Sequence, residues 1–138
     1  MAKHKLLIAD DFTFDLIGIC SSNADYRLCW GINKALSIAL EKDPDLSLKF
    51  KKEGEQLHSF YAYYDELDHM EYYLIKNVSH NYKKLIPEKN QVDYFLIIKN
   101  NYSREINDIL TSLKRVDSIL TAFVFDPNAL KSKDNLVF

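Results

Sequence analysis

The sequence predicts an α+β domain in which two amphipathic helices lie on one face of a mostly antiparallel sheet. Three observations lead there. Two stretches, near residues 25–40 and 105–116, repeat apolar side chains at helical spacing. Several runs rich in β-branched and aromatic residues lie around them, bounded by turn signals. No repeat, low-complexity tract or linker divides the 138 residues, so residues 1–138 are expected to form a single α+β domain with a core of its own.

Taken in order, FDLIGICS (14–21) reads as an early strand, with KLLIA (5–9) as a partner. Ser22, Asn23 and Asp25 then offer capping and first-turn chemistry to a helix whose apolar stripe is Leu28, Cys29, Ile32, Ala35, Leu36, Ala39 and Leu40. Pro44 is expected to stop it, with Lys42 and Asp43 at its exit. A second stripe on this helix carries Tyr26, Trp30, Lys34 and Ile38, which predicts cover on more than one side.

The tyrosine-rich runs LHSFYAYY (57–64) and EYYLIK (71–76), joined by a polar connection of hairpin length, read as an antiparallel pair. A short stretch, YKKLI (82–86), is expected to lead through a hairpin loop, with Pro87 setting the corner, into the strand VDYFLII (92–98). Ser103 is the expected N-cap of the second helix, with Glu105 and Asp108 early and Lys114 and Arg115 late, as the macrodipole favours. Its buried stripe is Ile106, Ile109, Leu110, Leu113 and Val116, and SILTAFVF (118–125) follows as a strand. The order is β, α, β, β, β, α, β, and its C-terminal half has the split βαβ character of ferredoxin-like folds.

Alternation sets Val92, Tyr94, Leu96 and Ile98 on one face of their strand and Phe95 and Ile97 on the other; Ile119, Phe123 and Phe125 likewise oppose Leu120, Ala122 and Val124. Both sheet faces are therefore apolar, and two helices cover one. The second face is expected to be covered by a twofold contact, sheet to sheet or edge to edge, in a homodimer. The competing solution is intramolecular: the tail from Ala129 to Phe138, with Leu136, Val137 and Phe138, crosses that face.

Composition narrows the function classes. Hydrophobic residues make up 47% and charged residues 28%, an ordinary globular balance, and the net charge of −2 lacks the basic excess that nucleic acid selects for. Cys20 and Cys29 lack CxxC spacing, and His4, His58, His69 and His80 lack ligand spacing, so no metal site is expected. Gly18, Gly31 and Gly54 are too scattered for a phosphate-cradling loop, and no nucleophile stands near a base in a known motif. No catalytic residue and no cofactor is assigned. The start, MAKHKLLIADDF, holds only a four-residue apolar run before Asp10, too short for a signal or a membrane span. No membrane contact is expected, and the protein is read as cytoplasmic with both thiols reduced.

One stretch resists a purely architectural reading: IPEKNQVDY, residues 86–94. Pro87 and its polar neighbours suit a turn, but alternation sets Asp93 beside Phe95 and Ile97, where a carboxylate needs solvent, hydrogen bonds or a cation. Arg27 and Lys84 are the candidate partners. The stretch resembles the signature of the bacterial IPExxxVDY family, with Ile86, Pro87, Glu88, Val92, Asp93 and Tyr94 filling each named position; DYRLCWGINKAL (25–36) is similar to that family too. The resemblance implies no particular reaction, cofactor or substrate. The candidate functional or structural residues are accordingly Pro87, Glu88, Asp93, Tyr94, Asp25, Arg27 and Trp30.

The leading expectation is a non-enzymatic interaction or regulatory module, a homodimer with a possible further protein partner. The alternative is a domain that senses a small metabolite at a dimer seam. Behind these stand an RNA-binding sheet, stacking bases on Tyr61, Tyr63, Tyr64, Tyr72, Tyr73 and Tyr94, and an enzyme using Glu88 and Asp93 as acid and base, with help from His58 or His69.

Overall fold

A computed structural model describes residues 12–50 and 54–138. The strand expected at residues 5–9 lies outside them. The described chain runs β1 (Asp15–Cys20), α1 (Asp25–Leu36), β2 (Glu41–Phe50), β3 (Gly54–Asp65), β4 (Met70–Lys76), β5 (Tyr94–Lys99), α2 (Ile106–Lys114) and β6 (Thr121–Phe125). The strands form one sheet in the order β2-β3-β4-β5-β1-β6, and all neighbours are antiparallel. The α+β architecture read from the sequence is the one observed.

The order has a simple logic. β5 and β6 both pair with β1, so they run parallel to each other with β1 between them, and β5-α2-β6 is a split βαβ unit. β1 and β4 likewise flank β5, which makes β6-β1-β5-β4 a ferredoxin-like quartet. β2 and β3 extend it beyond β4.

Several boundaries differ from expectation. α1 ends at Leu36 and not near Pro44, because Ser37 turns left-handed at φ 57°. The Asn33 side chain then takes the place of a helical turn: it accepts from the Leu40 N–H at 2.8 Å and donates to the Leu40 carbonyl at 3.2 Å. Leu40 keeps the helical apolar period only by coincidence, since it is buried at the start of a new strand. Pro44 lies inside that strand, β2, at a register irregularity between Asp43 and Leu46. An edge strand at a bulge tolerates a proline because its missing N–H costs no ladder bond. β2 thus adds a strand to the expected order.

YKKLI is not a strand. Only an isolated bridge joins Val78 to Lys84, and Pro87–Lys89 forms a single 3₁₀ turn. Ser103 is not the N-cap of α2 either: that position is Glu105, without a side-chain cap, while the Ser103 hydroxyl points to Asp68 and Met70. Asn101 steadies the approach instead, accepting from the Arg104 N–H at 2.9 Å.

Two apolar layers enclose the sheet. On the helical side Leu28, Ile32 and Leu36 of α1 and Ile109 and Leu113 of α2 pack over Ile17, Ile19, Tyr72, Leu74, Leu96 and Ile98. The opposite face carries Leu16, Phe60, Ile75, Phe95 and Ile97, and it too is covered from within the chain. Phe12 and Phe14, then Leu85, Ile86 and Val92, then Leu130 and Leu136 lie over it, and Phe138 sets its ring edge-on to Phe60 and Tyr73 at 5.3 and 5.1 Å. The expectation that a second subunit is needed to cover this face is therefore corrected; the tail does so. Val92 belongs to this second layer rather than to the face of Tyr94, because it precedes β5. Ile119 sits in the helical layer with Ala122 for the same kind of reason, lying ahead of β6.

Gly18 lets this layer close. A Cβ there would come within 2.4 Å of the Phe125 ring, which leans across β1 from β6 toward Phe95.

Candidate functional site

The nine-residue stretch is shaped by a residue the sequence did not single out. Asn77, fully buried at the end of β4, donates its side-chain amide to the carbonyls of Lys89 and Val92 at 3.1 and 2.8 Å and accepts from the Ile86 N–H at 3.0 Å. Its backbone closes the loop by bonding Leu85 and Asp93. One asparagine can do this because its amide carries both donors and acceptors. An asparagine after a strand is an ordinary turn residue, so nothing in the pattern announces the role.

On that platform the polar residues of the stretch each hold a different neighbour. Pro87 opens the 3₁₀ turn, where a residue without an N–H loses nothing. Glu88 is exposed and accepts from the Ser132 N–H and hydroxyl, both at 2.8 Å, pinning the tail. Burial pushes its carboxyl up, but the backbone and hydroxyl donors of Ser132 outweigh that and hold it below the usual range. Asp93 accepts from the Ser21 N–H at 2.7 Å and so fastens the loop between β1 and α1. Its partner is thus a backbone amide; Lys84 shares a small pit with it, and Arg27 faces elsewhere.

Tyr94, buried on the helical side of β5, donates its hydroxyl to Asp25 in the first turn of α1. The Lys76 ammonium sits 3.2 Å from the same carboxylate oxygen. Burial raises the Asp25 carboxyl, yet the tyrosine and lysine together leave it lower than normal. Burial first, then the hydrogen bond to Asp25 and its charge, push the Tyr94 phenol far above its ordinary value, so it stays a donor. Glu88 and Asp93 thus hold different segments, the tail and the loop after β1.

Arg27 and Trp30 belong to a second place. α1 and α2 leave a groove of about 520 Å³ between them, lined by Asn23, Arg27, Trp30, Gly31, Lys34, Ala35, Ser112, Arg115, Val116, Asp117 and Ser118. Trp30 is 66% exposed, and the Lys34 ammonium stands 5.2 Å from the centre of its ring. Tyr26 is exposed as well, so the second stripe on α1 remains open where cover was expected, apart from Ile38, which packs on the core. Gly31 brings the helix close to the segment after α2: a Cβ would meet Val116 at 2.6 Å.

The remaining candidates have structural places. His58 is fully buried; its Nδ1 lies 2.8 Å from the Lys76 carbonyl, which can only accept, so Nδ1 carries the proton and Nε2 accepts from Gln56 at 2.8 Å. Burial holds its pKa below the ordinary value. His69 caps the β3–β4 turn beside Tyr64. Cys29 is buried and Cys20 half-buried; both are free, and burial raises both thiols. Of the six tyrosines considered for base stacking, Tyr61, Tyr72 and Tyr94 are buried and cannot offer a ring face. No helix among the described residues is long and apolar enough to cross a membrane. Comparison with protein-family models, with curated proteins and with solved structures finds no match.

Proposed function

We propose that the chain is a non-enzymatic interaction module of the IPExxxVDY family, working in the cytoplasm as a homodimer whose seam is the free edge of β6. The observation behind this reading is the contrast between the two ends of the sheet. β2 carries Glu41, Lys42, Asp43, Pro44 and Asp45 and a bulge, the charges and irregularity with which proteins discourage edge pairing. β6 has β1 as its one neighbour among the described strands, and its residues TAFVF include no charge and no proline. Leu120, Phe123 and Val124 are 72%, 48% and 46% exposed.

An unguarded apolar edge in a soluble protein calls for a partner strand, and a second β6 fits best. Antiparallel pairing about a twofold axis at Phe123 sets Phe123 against itself, Ala122 against Val124 and Thr121 against Phe125 of the other copy, with no charge anywhere in the seam. Both helical layers then lie on the same side, and the sheet continues across the axis.

Size-exclusion chromatography with light scattering tests this. The wild-type chain is expected to run as a dimer at micromolar concentration, and Phe123→Lys, which places two like charges face to face on the axis, as a monomer with an unchanged circular dichroism spectrum. A monomeric wild type, or a Phe123→Lys chain that stays dimeric, would refute the proposal.

A further inference from the structure

The groove between α1 and α2 carries three features that the fold does not use. Arg27, Lys34 and Arg115 converge on it, and among the described residues none of the three forms an ion pair. Nor does either arginine donate a side-chain hydrogen bond there, although Arg104, elsewhere, is bonded to the Leu36 carbonyl and the Tyr72 hydroxyl. The groove also presents Trp30, largely exposed, with a broad aromatic face available for stacking. Finally, Ser118 is among its lining residues, and its buried hydroxyl is the one such side-chain oxygen or nitrogen without a hydrogen-bond partner among the described residues.

The last point weighs most. Ser118 is only 7% exposed, and a buried hydroxyl left unpaired costs about 1–3 kcal/mol, so native proteins rarely leave one. The Ser118 carbonyl is bonded, to the Ser21 hydroxyl at 2.6 Å, which fixes the backbone beneath the groove while the side chain stays unbonded. No hydrogen bond holds it in its rotamer, and a Cβ built on Gly31 would meet its oxygen at 3.5 Å.

We infer that this groove binds a small phosphate-bearing ligand with a planar ring, of the size of a mononucleotide. The volume, about 520 Å³, falls in the range of small-molecule sites. Two guanidiniums and an ammonium are the donors that a phosphate selects, with Arg supplying a planar fork and Lys a point charge. Trp30 offers the ring an indole on which to stack. Asp117, in the segment after α2, provides an acceptor for ring N–H groups and leaves the groove a local charge of about two positive, suited to one phosphate rather than a polymer. The chain's net charge of −2 points the same way.

Trp30 is the sole tryptophan, so its fluorescence reports on the groove alone. Titrating the full chain with the common nucleoside monophosphates, the matching nucleosides and inorganic phosphate separates the contributions of ring and anion. At least one monophosphate is expected to change the fluorescence saturably and to raise the melting temperature, with its nucleoside and inorganic phosphate each weaker by about tenfold or more. Arg115→Ala is expected to weaken binding about tenfold or more. Ser118→Ala, which removes a hydroxyl with no partner in the free protein, should leave the melting temperature of the free chain unchanged or higher while weakening the ligand. No saturable response at millimolar nucleotide, affinities indifferent to Arg115→Ala, or a response confined to single-stranded RNA would each overturn the inference.

Discussion

Tyr94 and Asp25 join the middle of the sheet to the first turn of α1, and the pair is also a place where acid should loosen the molecule. A carboxyl held below its unfolded pKa, near 3.9, adds stability that is fully present above that pH and disappears as pH falls through the folded value. Removing the phenol weakens what holds Asp25 down. Tyr94→Phe is expected to cost about 1.5–3 kcal/mol near neutral pH, the range for a hydrogen bond to a charged group, and to shrink the difference from wild type below about pH 4. Urea unfolding followed at a series of pH values measures both; equal destabilisation at every pH would show that the charge is not what the hydroxyl serves. At this scale the sequence was half legible. Alternation showed that Asp93 needs a partner, but a backbone amide such as that of Ser21 has no signature in a string of side chains. Trp30 and Arg27 stood out by type, whereas Asn77 and Ser118 did not, since their importance comes from burial and the arrangement of neighbours.

Among the elements, the tail carries the clearest prediction. Leu130 and Leu136 are buried, Ser132 is tied to Glu88, and the Asn135 amide donates to the Leu85 carbonyl at 2.8 Å. Leu136→Ala should cost about 2–5 kcal/mol, the range for emptying a buried leucine site. Deleting residues 130–138 uncovers Phe60, Ile75 and Ile97 together, so the truncated chain is expected to bind a hydrophobic dye and to precipitate on warming, which light scattering detects. A truncated chain as soluble and stable as the whole would mean that the tail adds nothing to this face. Why some elements were legible and others not follows from their chemistry. α1, α2, β3, β4 and β5 carry strong apolar periods, and their existence could be read directly. β2 is mostly exposed, with a proline and four charges among its first five residues, so no apolar rhythm marks it. The tail's apolar residues were visible, but periodicity cannot say which surface a loose segment covers.

For the molecule as a whole, β1 is the organising strand although it precedes both of its partners in the chain. It pairs with β5 on one side and β6 on the other, and Leu16, Ile17 and Ile19 are fully buried between the two apolar layers. Native-state hydrogen exchange should therefore rank the amides of β1 and β5 as the slowest, opening only with global unfolding, and those of β2, exposed along most of its length, as the fastest in the sheet. Comparable protection in β2 and β1 would contradict this order. The same placement has a consequence for biosynthesis. A ribosome adding roughly 5–20 residues per second takes about 4 to 15 s to pass from Cys20 to Tyr94. During that interval β1 exists as an apolar strand with neither partner made, while the β2–β3–β4 meander can already form from neighbouring residues. Release of a chain that stops short of Thr121 leaves β1 open along one side.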